Sequence, residues 1–331
     1  MFVLGLSSAV IPVVILALVF GFLNGFNDSS SMVATVISSR AMVPRQALLL
    51  TAVAHLVAPF LSGVAVATTI GHEVVKEQAV TLPVVQAGLV AAIFWNLLTW
   101  RLGLPSSSSH ALIGGIVGSV VIDSGWQALQ RNGLMKVLCA LFFSPLFGLV
   151  ASYIVMRTVF FLARGASPRI NWWFKRVQIL TMLGLSLGHG ANDAQKTMGI
   201  IAMALMAGGA IASFQIPLWV VAASACVMMI GVSLGSWRLI RTLGIGLYKI
   251  QPVHGFTGQI AAALVIIGGV LFGGPVSTSQ VVAAAIIGAG SAERTRKVRW
   301  GLAGQIVRAW LLTIPATAAV AALIRLLIGI L

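Results

Sequence analysis

The sequence predicts an all-α integral membrane protein with about ten membrane-inserted segments in two inverted-topology repeats. Composition is the first observation, since 59% of the 331 residues are hydrophobic and only 8% are charged, with a mean hydropathy of +1.04. This excludes a soluble globular domain. The second observation is that apolar runs of about 20 residues, enough to cross roughly 30 Å of hydrocarbon, recur along nearly the whole chain. The third is that two polar motifs each occur twice, in the same order.

Ten apolar segments account for nearly all of the chain, five on each side of a basic connector. They cover approximately residues 8–24, 46–70, 81–101, 104–123, 134–161, 178–206, 216–236, 254–273, 275–290 and 300–328. No basic residue precedes the first run and no small-residue cleavage site follows it, so we interpret it as a membrane helix and not as a signal peptide. The first repeat is therefore expected at 1–161, the connector at 162–177 and the second repeat at 178–331.

The basic residues predict which loops face the cytoplasm. Placing the connector inside brings most of the other basic loops to the same side, as the positive-inside rule requires. The connector carries Arg164, Arg169, Lys175 and Arg176. An odd number of crossings in each half then gives the halves opposite orientations and places both termini outside. The formal charge of +15 is explained by this loop bias, so nucleic acid is not an expected partner.

The first repeated motif is an Asn-Asp pair next to glycine. The segment GFNDSSSM (25–32) matches GANDAQKT (190–197), so that Asn27 and Asp28 correspond to Asn192 and Asp193. An ionisable residue at membrane depth costs at least a few kcal/mol, so it needs a partner or a function. Carboxylate, amide and backbone oxygens at an interrupted helix are typical ligands of a small cation. We therefore expect these four residues to bind or couple a cation, with Asp28 and Asp193 as the metal ligands if the cation is Na⁺.

Other roles are open for this motif. An aspartate can carry a proton instead of binding a metal ion, or can cap a helix that is broken at glycine. Lys196 has no basic counterpart after the first pair, and it can attract an anion or neutralise Asp28 or Asp193. His55 is expected to be structural, whereas a role for His189 beside the motif stays open.

The second repeated motif is a run of hydroxyl side chains after proline. The segment PSSSSHALIGGIVG (105–118) matches PVSTSQVVAAAIIG (275–288). Proline favours the first turn of a helix because it lacks an amide hydrogen, so each run is expected at a helix N-terminus within a midplane hairpin. The free amides, the helix dipole and the hydroxyls there can hold an oxyanion without a formal positive charge. The residues expected to bind it are Ser107, Ser108, Ser109, Ser277, Thr278, Ser279, Gln195, Lys196 and His110.

Other roles are also open for the residues of this second motif. Serine and threonine also cap helices that bind nothing, so plain capping is the alternative to an anion site. His110 is replaced by Gln280 in the second copy, so its role is not required symmetrically. His110 can donate to the anion, titrate during coupling or serve a structural hydrogen bond.

The chain resembles the inorganic phosphate transporter (PiT) family of secondary transporters. Its GFND and GANDAQKTMG segments are similar to the family's repeated G-x-N-D motif, and TWRLGLPSSSSHALIGG (99–115) and GGPVSTSQ (273–280) are similar to its hairpins. The segment VRWGLAGQIVRAWLLTIPA (298–316) also resembles the family. The short connector is similar to that of bacterial, low-affinity members. The chain departs from the family pattern at Ser29–Ser31, Gln280 and Gln305, where Ala-Asn, His and Asn are usual.

This resemblance implies a symporter that imports inorganic phosphate with Na⁺ or H⁺ by alternating access, and not an enzyme. It implies that phosphate lies between the two hairpin helices and that the cations lie at the Asn-Asp pairs. Similarity to bacterial members places the chain in the cytoplasmic membrane and favours H⁺, with a divalent metal phosphate as one candidate for the species carried. No resident cofactor is implied, and a homodimer is compatible with the family.

Three alternative functions have sequence features in their favour. Hydroxyls and amides also recognise sulfate or another tetrahedral oxyanion, although a protonated phosphate can donate to Asp28 or Asp193 and sulfate cannot. Ser108 or Ser109 with His110 and Asp193 suggests a Ser-His-Asp hydrolase, which leaves the duplication unexplained. A passive channel could also use paired helix ends.

Overall fold

The structure, a computed structural model, describes residues 7–330, and their regular secondary structure is helical apart from one isolated β-bridge between Val75 and Leu129. The helices up to the connector are α1 (Val10–Ser38), α2 (Pro44–Leu61), α3 (Ala65–His72), α4 (Leu82–Leu102), α5 (Ser108–Ser124) and α6 (Arg131–Leu162). The helices after it are α7 (Ile170–Ala207), α8 (Leu218–Leu234), α9 (Trp237–Arg241, continued by a π-helical turn over Thr242–Gly246), α10 (Pro252–Leu271), α11 (Thr278–Glu293) and α12 (Trp300–Ile330).

Six of these helices are long and apolar enough to cross a membrane, so the chain is a multi-pass membrane protein. They are α1, α2, α4, α6, α10 and α12. The pair α8 and α9 adds a seventh span if it is counted as one helix with a bend of 59°. Helix α7 is 38 residues long, but it is not in this set because an Asn-Asp-Ala-Gln-Lys run occupies its middle and lowers its hydropathy.

The sequence predicts an interrupted helix at each Asn-Asp pair, and this prediction is wrong. Helices α1 and α7 run unbroken through both motifs. The adjacent glycines serve close helix packing instead: a Cβ atom on Gly25 would lie 2.5 Å from the backbone oxygen of Met228 in α8, and one on Gly190 would lie 3.0 Å from the Cα of His55 in α2. The breaks fall in the neighbouring elements, at residues 62–64 and 235–236, where Gly63 and Gly235 have positive φ.

Two further boundaries differ from the sequence prediction. The loop between the halves covers only residues 163–169, because α7 already begins at Ile170 and includes Lys175 and Arg176. Pro105 and Pro275 do not lie in the first turns of α5 and α11. Each proline lies two residues before its helix N-cap, which is Ser107 in α5 and Ser277 in α11. The expectation that each hydroxyl run begins a helix is confirmed.

The two halves of the chain interlock. Helix α5 packs on α12, α6 on α11, α8 on α1, and both α2 and α3 on α7. Helix α11 is almost entirely buried, as are the middle parts of α1 and α7 that carry the Asn-Asp motifs. Helices α6 and α12 instead carry exposed apolar side chains such as Phe143, Phe147, Leu312 and Leu323. Because lipid is the surrounding solvent, these apolar faces are suited to the outside and the polar motifs lie inside.

Candidate functional site

Two buried carboxylates form the centre of the candidate site. Helices α1 and α7 pack against each other and bring Asp28 and Asp193 together beside His189, with one ligand atom from each residue lying within 4.8 Å of the others. His189 Nε2 is 3.5 Å from Asp193 Oδ2 and 3.7 Å from Asp28 Oδ2. All three side chains are buried. Two carboxylates at this separation repel each other unless cations, protons or hydrogen-bond donors compensate them.

Asp193 is compensated by groups of α7 and α11. The Lys196 ammonium, which is fully buried, donates to Asp193 Oδ1 at 2.5 Å. Asn192 Nδ2 donates to the same oxygen at 2.7 Å, and Thr278 Oγ1 lies 3.1 and 3.2 Å from the two carboxylate oxygens. Of the roles open to Lys196, the structure therefore shows the ion pair with Asp193 and not one with Asp28.

Asp28 has a different set of neighbours. The Asn24 side-chain amide lies 2.8 Å from Asp28 Oδ2, 3.3 Å from Asp193 Oδ2 and 2.6 Å from Ser108 Oγ. With its nitrogen on this side, Asn24 donates to both carboxylates, whereas an amide oxygen there would face two carboxylate oxygens and accept only from the Ser108 hydroxyl. The neighbouring Asn27 turns away and donates to the backbone oxygen of Asn96 in α4 at 3.1 Å.

The two hydroxyl runs meet at their tips. Ser107 and Ser277 are the N-caps of α5 and α11, and their Oγ atoms are 2.7 Å apart. Ser279 Oγ donates to the backbone oxygen of Ser106 at 3.1 Å, and Ser109 Oγ donates to that of Val276 at 3.4 Å. Each tip therefore uses its hydroxyls to hold the other, and the N-termini of two helices converge on one point.

His110 and Gln280 occupy corresponding positions of the two copies and lie opposite each other. His110 Nδ1 is 2.7 Å from Ser107 Oγ and 3.4 Å from Gln280 Nε2. The imidazole is therefore engaged with the helix cap and not with Ser108 or Ser109. Because Asp193 is also paired with Lys196, the hydrogen bonds of a Ser-His-Asp hydrolase are not formed by these residues.

The hydroxyl runs and the carboxylates belong to one connected site. Thr278 joins the tip of α11 to Asp193, and Ser108 joins the tip of α5 to Asn24 and through it to Asp28. Asn192 and Lys196 also donate to the backbone oxygen of Val276, at 3.0 and 3.3 Å. A ligand held between the tips would be separated from the carboxylates by a single layer of hydrogen bonds.

Gln195 does not join this group, contrary to the sequence prediction. Its Oε1 accepts from the backbone amides of Val66 and Ala67, at 2.8 and 3.2 Å, where α3 begins after the break. Ser29 acts in a similar way at the other break, since its Oγ accepts from the amide of Ser236 at 3.0 Å. The residues that follow each Asn-Asp pair thus satisfy the amides freed by a broken helix.

Sequence reasoning missed Asn24 and gave His55 only a structural role. His55 Nε2 is 3.0 Å from His189 Nδ1, and its Nδ1 is 2.8 Å from the backbone oxygen of Thr51. The hydrogen-bonded pair of His55 and His189 therefore extends to the two carboxylates, which His189 adjoins. The sequence does contain a signal for two of these residues. Asn24 and His189 each lie four residues before an aspartate of the motif, so each shares a helix face with that aspartate.

Comparison with known proteins gives a family and several relatives. A model described as the phosphate transporter family matches residues 24–172 and 163–321. The chain is 45% identical over 318 residues to a probable low-affinity inorganic phosphate transporter of Mycobacterium tuberculosis, covering 94% of this chain and 75% of that one. A protein of the same description from Bacillus subtilis is 39% identical over 317 residues, which cover 95% of each chain.

A solved structure also resembles the chain. It is described as the sodium-dependent phosphate transporter, and it matches with a TM-score of 0.88 at 22% sequence identity. The match covers 98% of this chain and 100% of the other. At this identity the likeness establishes a shared fold.

Proposed function

The chain belongs to the phosphate transporter family, and on this premise we propose that it carries inorganic phosphate across the membrane in symport with a cation. The observation that carries the proposal is the contact between Ser107 and Ser277 at two converging helix N-termini, one hydrogen-bond layer from Asp28 and Asp193. The relatives are named transporters and permeases, so the function is not enzymatic.

The proposed phosphate site lies between the tips of α5 and α11. The hydroxyls of Ser107 and Ser277 bond to each other, while Ser109 and Ser279 bond to carbonyls of the opposite tip. Phosphate oxygens would replace these acceptors, so each donor exchanges one hydrogen bond for a stronger one to an anion. Free backbone amides of both first turns would add to this binding.

Phosphate is favoured over sulfate by the carboxylates. At neutral pH a phosphate retains at least one proton and can donate it to Asp28, directly or through the Asn24 and Ser108 bridge. Sulfate has no such proton and would place a fully ionised anion near a carboxylate. Sulfate is therefore the second candidate substrate, and a divalent metal phosphate is a variant of the first.

The coupling cation is proposed to act at the carboxylates between α1 and α7. Two candidates remain, H⁺ and Na⁺, and the hydrogen-bonded pair His55–His189 favours H⁺ because it extends from the carboxylates toward α2. Na⁺ would instead use carboxylate and amide oxygens as ligands. Either cation would lower the repulsion between the two aspartates and a bound anion, which is how binding of one promotes binding of the other.

Alternating access is proposed to follow from two inverted repeats, 1–161 and 178–331, joined by a cytoplasmic connector. The order of a long helix, a broken helix, a span, a short hydroxyl-capped helix and a long helix occurs in both stretches, which supports this division and a total of ten segments. Ser107, Ser277, Asp28 and Asp193 are buried, so the tips must part for phosphate to enter or leave.

A basic cavity supports the proposed exit to the cytoplasm. It has a volume of about 790 Å³ and lies at the C-terminal end of α1. Four of its lining residues are basic: Arg40, Lys175, Lys249 and Arg299. Positive charge at this end agrees with a cytoplasmic face, with both termini of the chain outside, and it would attract an anion to the mouth of the pathway.

Radiolabelled phosphate uptake into proteoliposomes with imposed H⁺ or Na⁺ gradients tests this function. We expect uptake that depends on one of the two gradients and persists in excess sulfate. Uptake without any gradient dependence, accompanied by ion current, would indicate a channel. Strong inhibition by sulfate would replace phosphate with another oxyanion.

A further inference from the structure

The two Asn-Asp motifs differ in charge three residues after the aspartate. Lys196 follows Asp193 at this spacing, and Ser31 follows Asp28. Both side chains are fully buried, at 0% exposure. A buried ammonium is costly unless it is paired, so its presence in one copy and not in the other calls for a specific role.

We propose that the Lys196 ammonium is a tethered cation, which takes the place of a transported cation at the second Asn-Asp pair and leaves only the first pair for a mobile one. This inference rests on the proposed cation symport. It identifies Lys196 as the residue that sets how many cations the site binds.

The surroundings of the ammonium are those of a small hard cation. Its Nζ atom lies 2.5 Å from Asp193 Oδ1 and 3.3 Å from the backbone oxygen of Val276. The hydroxyl of Thr278 is within hydrogen-bond distance of both oxygens of the same carboxylate. Carboxylate and carbonyl oxygens are the ligands that hard cations prefer. Lysine therefore donates to the oxygens that Na⁺ would coordinate, and no mobile ion can share that position with it.

The first pair has no such cation. Within residues 7–330 the nearest basic nitrogen paired with Asp28 is His189 Nε2, at 3.7 Å, which is beyond a hydrogen bond. The Ser31 hydroxyl and the Asn27 side-chain oxygen are buried and have no hydrogen-bond partner in that part of the chain. The Asn192 side-chain oxygen of the second pair is unpartnered there as well, so the two pairs differ at Ser31. Buried polar atoms are normally satisfied, and the unpartnered Ser31 hydroxyl stands one turn after Asp28 where Lys196 stands after Asp193, which leaves the Asp28 carboxylate for a mobile cation.

A competing role for Lys196 is direct attraction of phosphate, since Val276 belongs to the tip of α11. In that case one of the three ammonium hydrogens would turn to the anion, and loss of the ammonium would weaken phosphate binding at every cation concentration. A tethered cation makes a different prediction, because a free ion can replace it once space is made.

Equilibrium binding of radioactive sodium to the purified protein, without phosphate, tests the proposal. Lys196→Ala removes the ammonium and leaves room for an ion, whereas Lys196→Met removes the charge and keeps most of the volume. We expect Lys196→Ala to bind about one more Na⁺ per chain than wild type, and Lys196→Met to bind no more than wild type. Lys196→Asn, which offers an amide oxygen to the ion, is a second variant with the same expected gain should the alanine variant not fold.

Lys136→Ala is the matched control, because this lysine pairs with Glu73 outside the site, at 3.0 Å, and its loss should leave the Na⁺ count unchanged. In proteoliposomes, phosphate uptake by Lys196→Ala should fall by about tenfold or more without Na⁺ and recover when Na⁺ is added. If Lys196→Ala and Lys196→Asn each bind the same number of Na⁺ ions per chain as wild type, the proposal is overturned. Absence of phosphate uptake by wild type would instead contradict the proposed function, while the Na⁺ count would still decide the role of Lys196.

Discussion

At the scale of single residues, the two aspartates differ more than their shared motif indicates. Asp193 has a lysine, an asparagine and a threonine on its oxygens, whereas Asp28 receives Asn24 and lies near His189. Breaking a buried ion pair costs about 3 to 5 kcal/mol because one charge is left uncompensated. The same substitution should therefore have different consequences at the two positions.

Asp28→Asn should abolish cation-coupled phosphate uptake while leaving the protein folded in the membrane, because no buried cation loses its partner. Asp193→Asn should also lose uptake and should in addition melt at a lower temperature, since Lys196 is left unpaired. Uptake in proteoliposomes and thermal unfolding in detergent measure the two effects. Wild-type uptake by Asp28→Asn would remove the argument for a coupling site at this carboxylate.

Asn24→Ala should raise the phosphate KM by about tenfold, because it removes the amide that connects Asp28 to Ser108 and leaves buried groups unsatisfied. Asn132→Ala is a suitable control, since Asn132 is exposed in the first turn of α6. Initial rates of radiolabelled phosphate uptake over a range of concentrations give the KM. An unchanged KM for Asn24→Ala would show that phosphate binding at the hairpin tips does not depend on their connection to the carboxylates.

At the scale of helices, glycine sets how closely α1 and α7 approach their neighbours. Gly25→Ala would place a methyl group 2.5 Å from the Met228 backbone oxygen of α8, so the helices must separate, with an expected loss of about 1 to 3 kcal/mol of stability. Gly184→Ala is the control, because a Cβ there meets no atom within 4 Å and alanine favours the helix. Melting temperatures that fall equally for both variants would contradict this packing role.

The repeated motifs allowed the sequence to predict which residues begin the hairpin helices, because serine and threonine favour helix N-termini for a local chemical reason. Ser107 shows this reason directly, since its hydroxyl accepts from the backbone amide of His110 at 3.1 Å. The same reasoning failed for Gly25 and Gly190. A glycine beside polar residues is compatible with a broken helix and with close packing, and only the position of α8 and α2 distinguishes them. The breaks at Gly63 and Gly235 lie outside both motifs, and Gln195 was misplaced because its amide is used at one of these breaks.

At the scale of the whole molecule, the apolar faces of α6 and α12 lie outside, and a polar cluster between α1 and α7 lies within a largely apolar interior. Composition and apolar length were sufficient to predict this, because lipid allows few alternatives. They could not predict that Asp28 is left to Asn24 and His189 while Lys196 pairs with Asp193 three residues before it on α7, since the position of Asp28 depends on how α1 and α7 meet.

Phosphate is proposed to bind where the tips of α5 and α11 converge. The most direct test is the phosphate KM of uptake for Ser107→Ala with Ser277→Ala, compared with Ser119→Ala, a buried serine of α5 that bonds only within its own helix. The double variant removes two hydroxyl donors to the anion, so its KM should rise by at least about tenfold, while Ser119→Ala should match wild type. A KM for the double variant equal to that of wild type would place phosphate elsewhere.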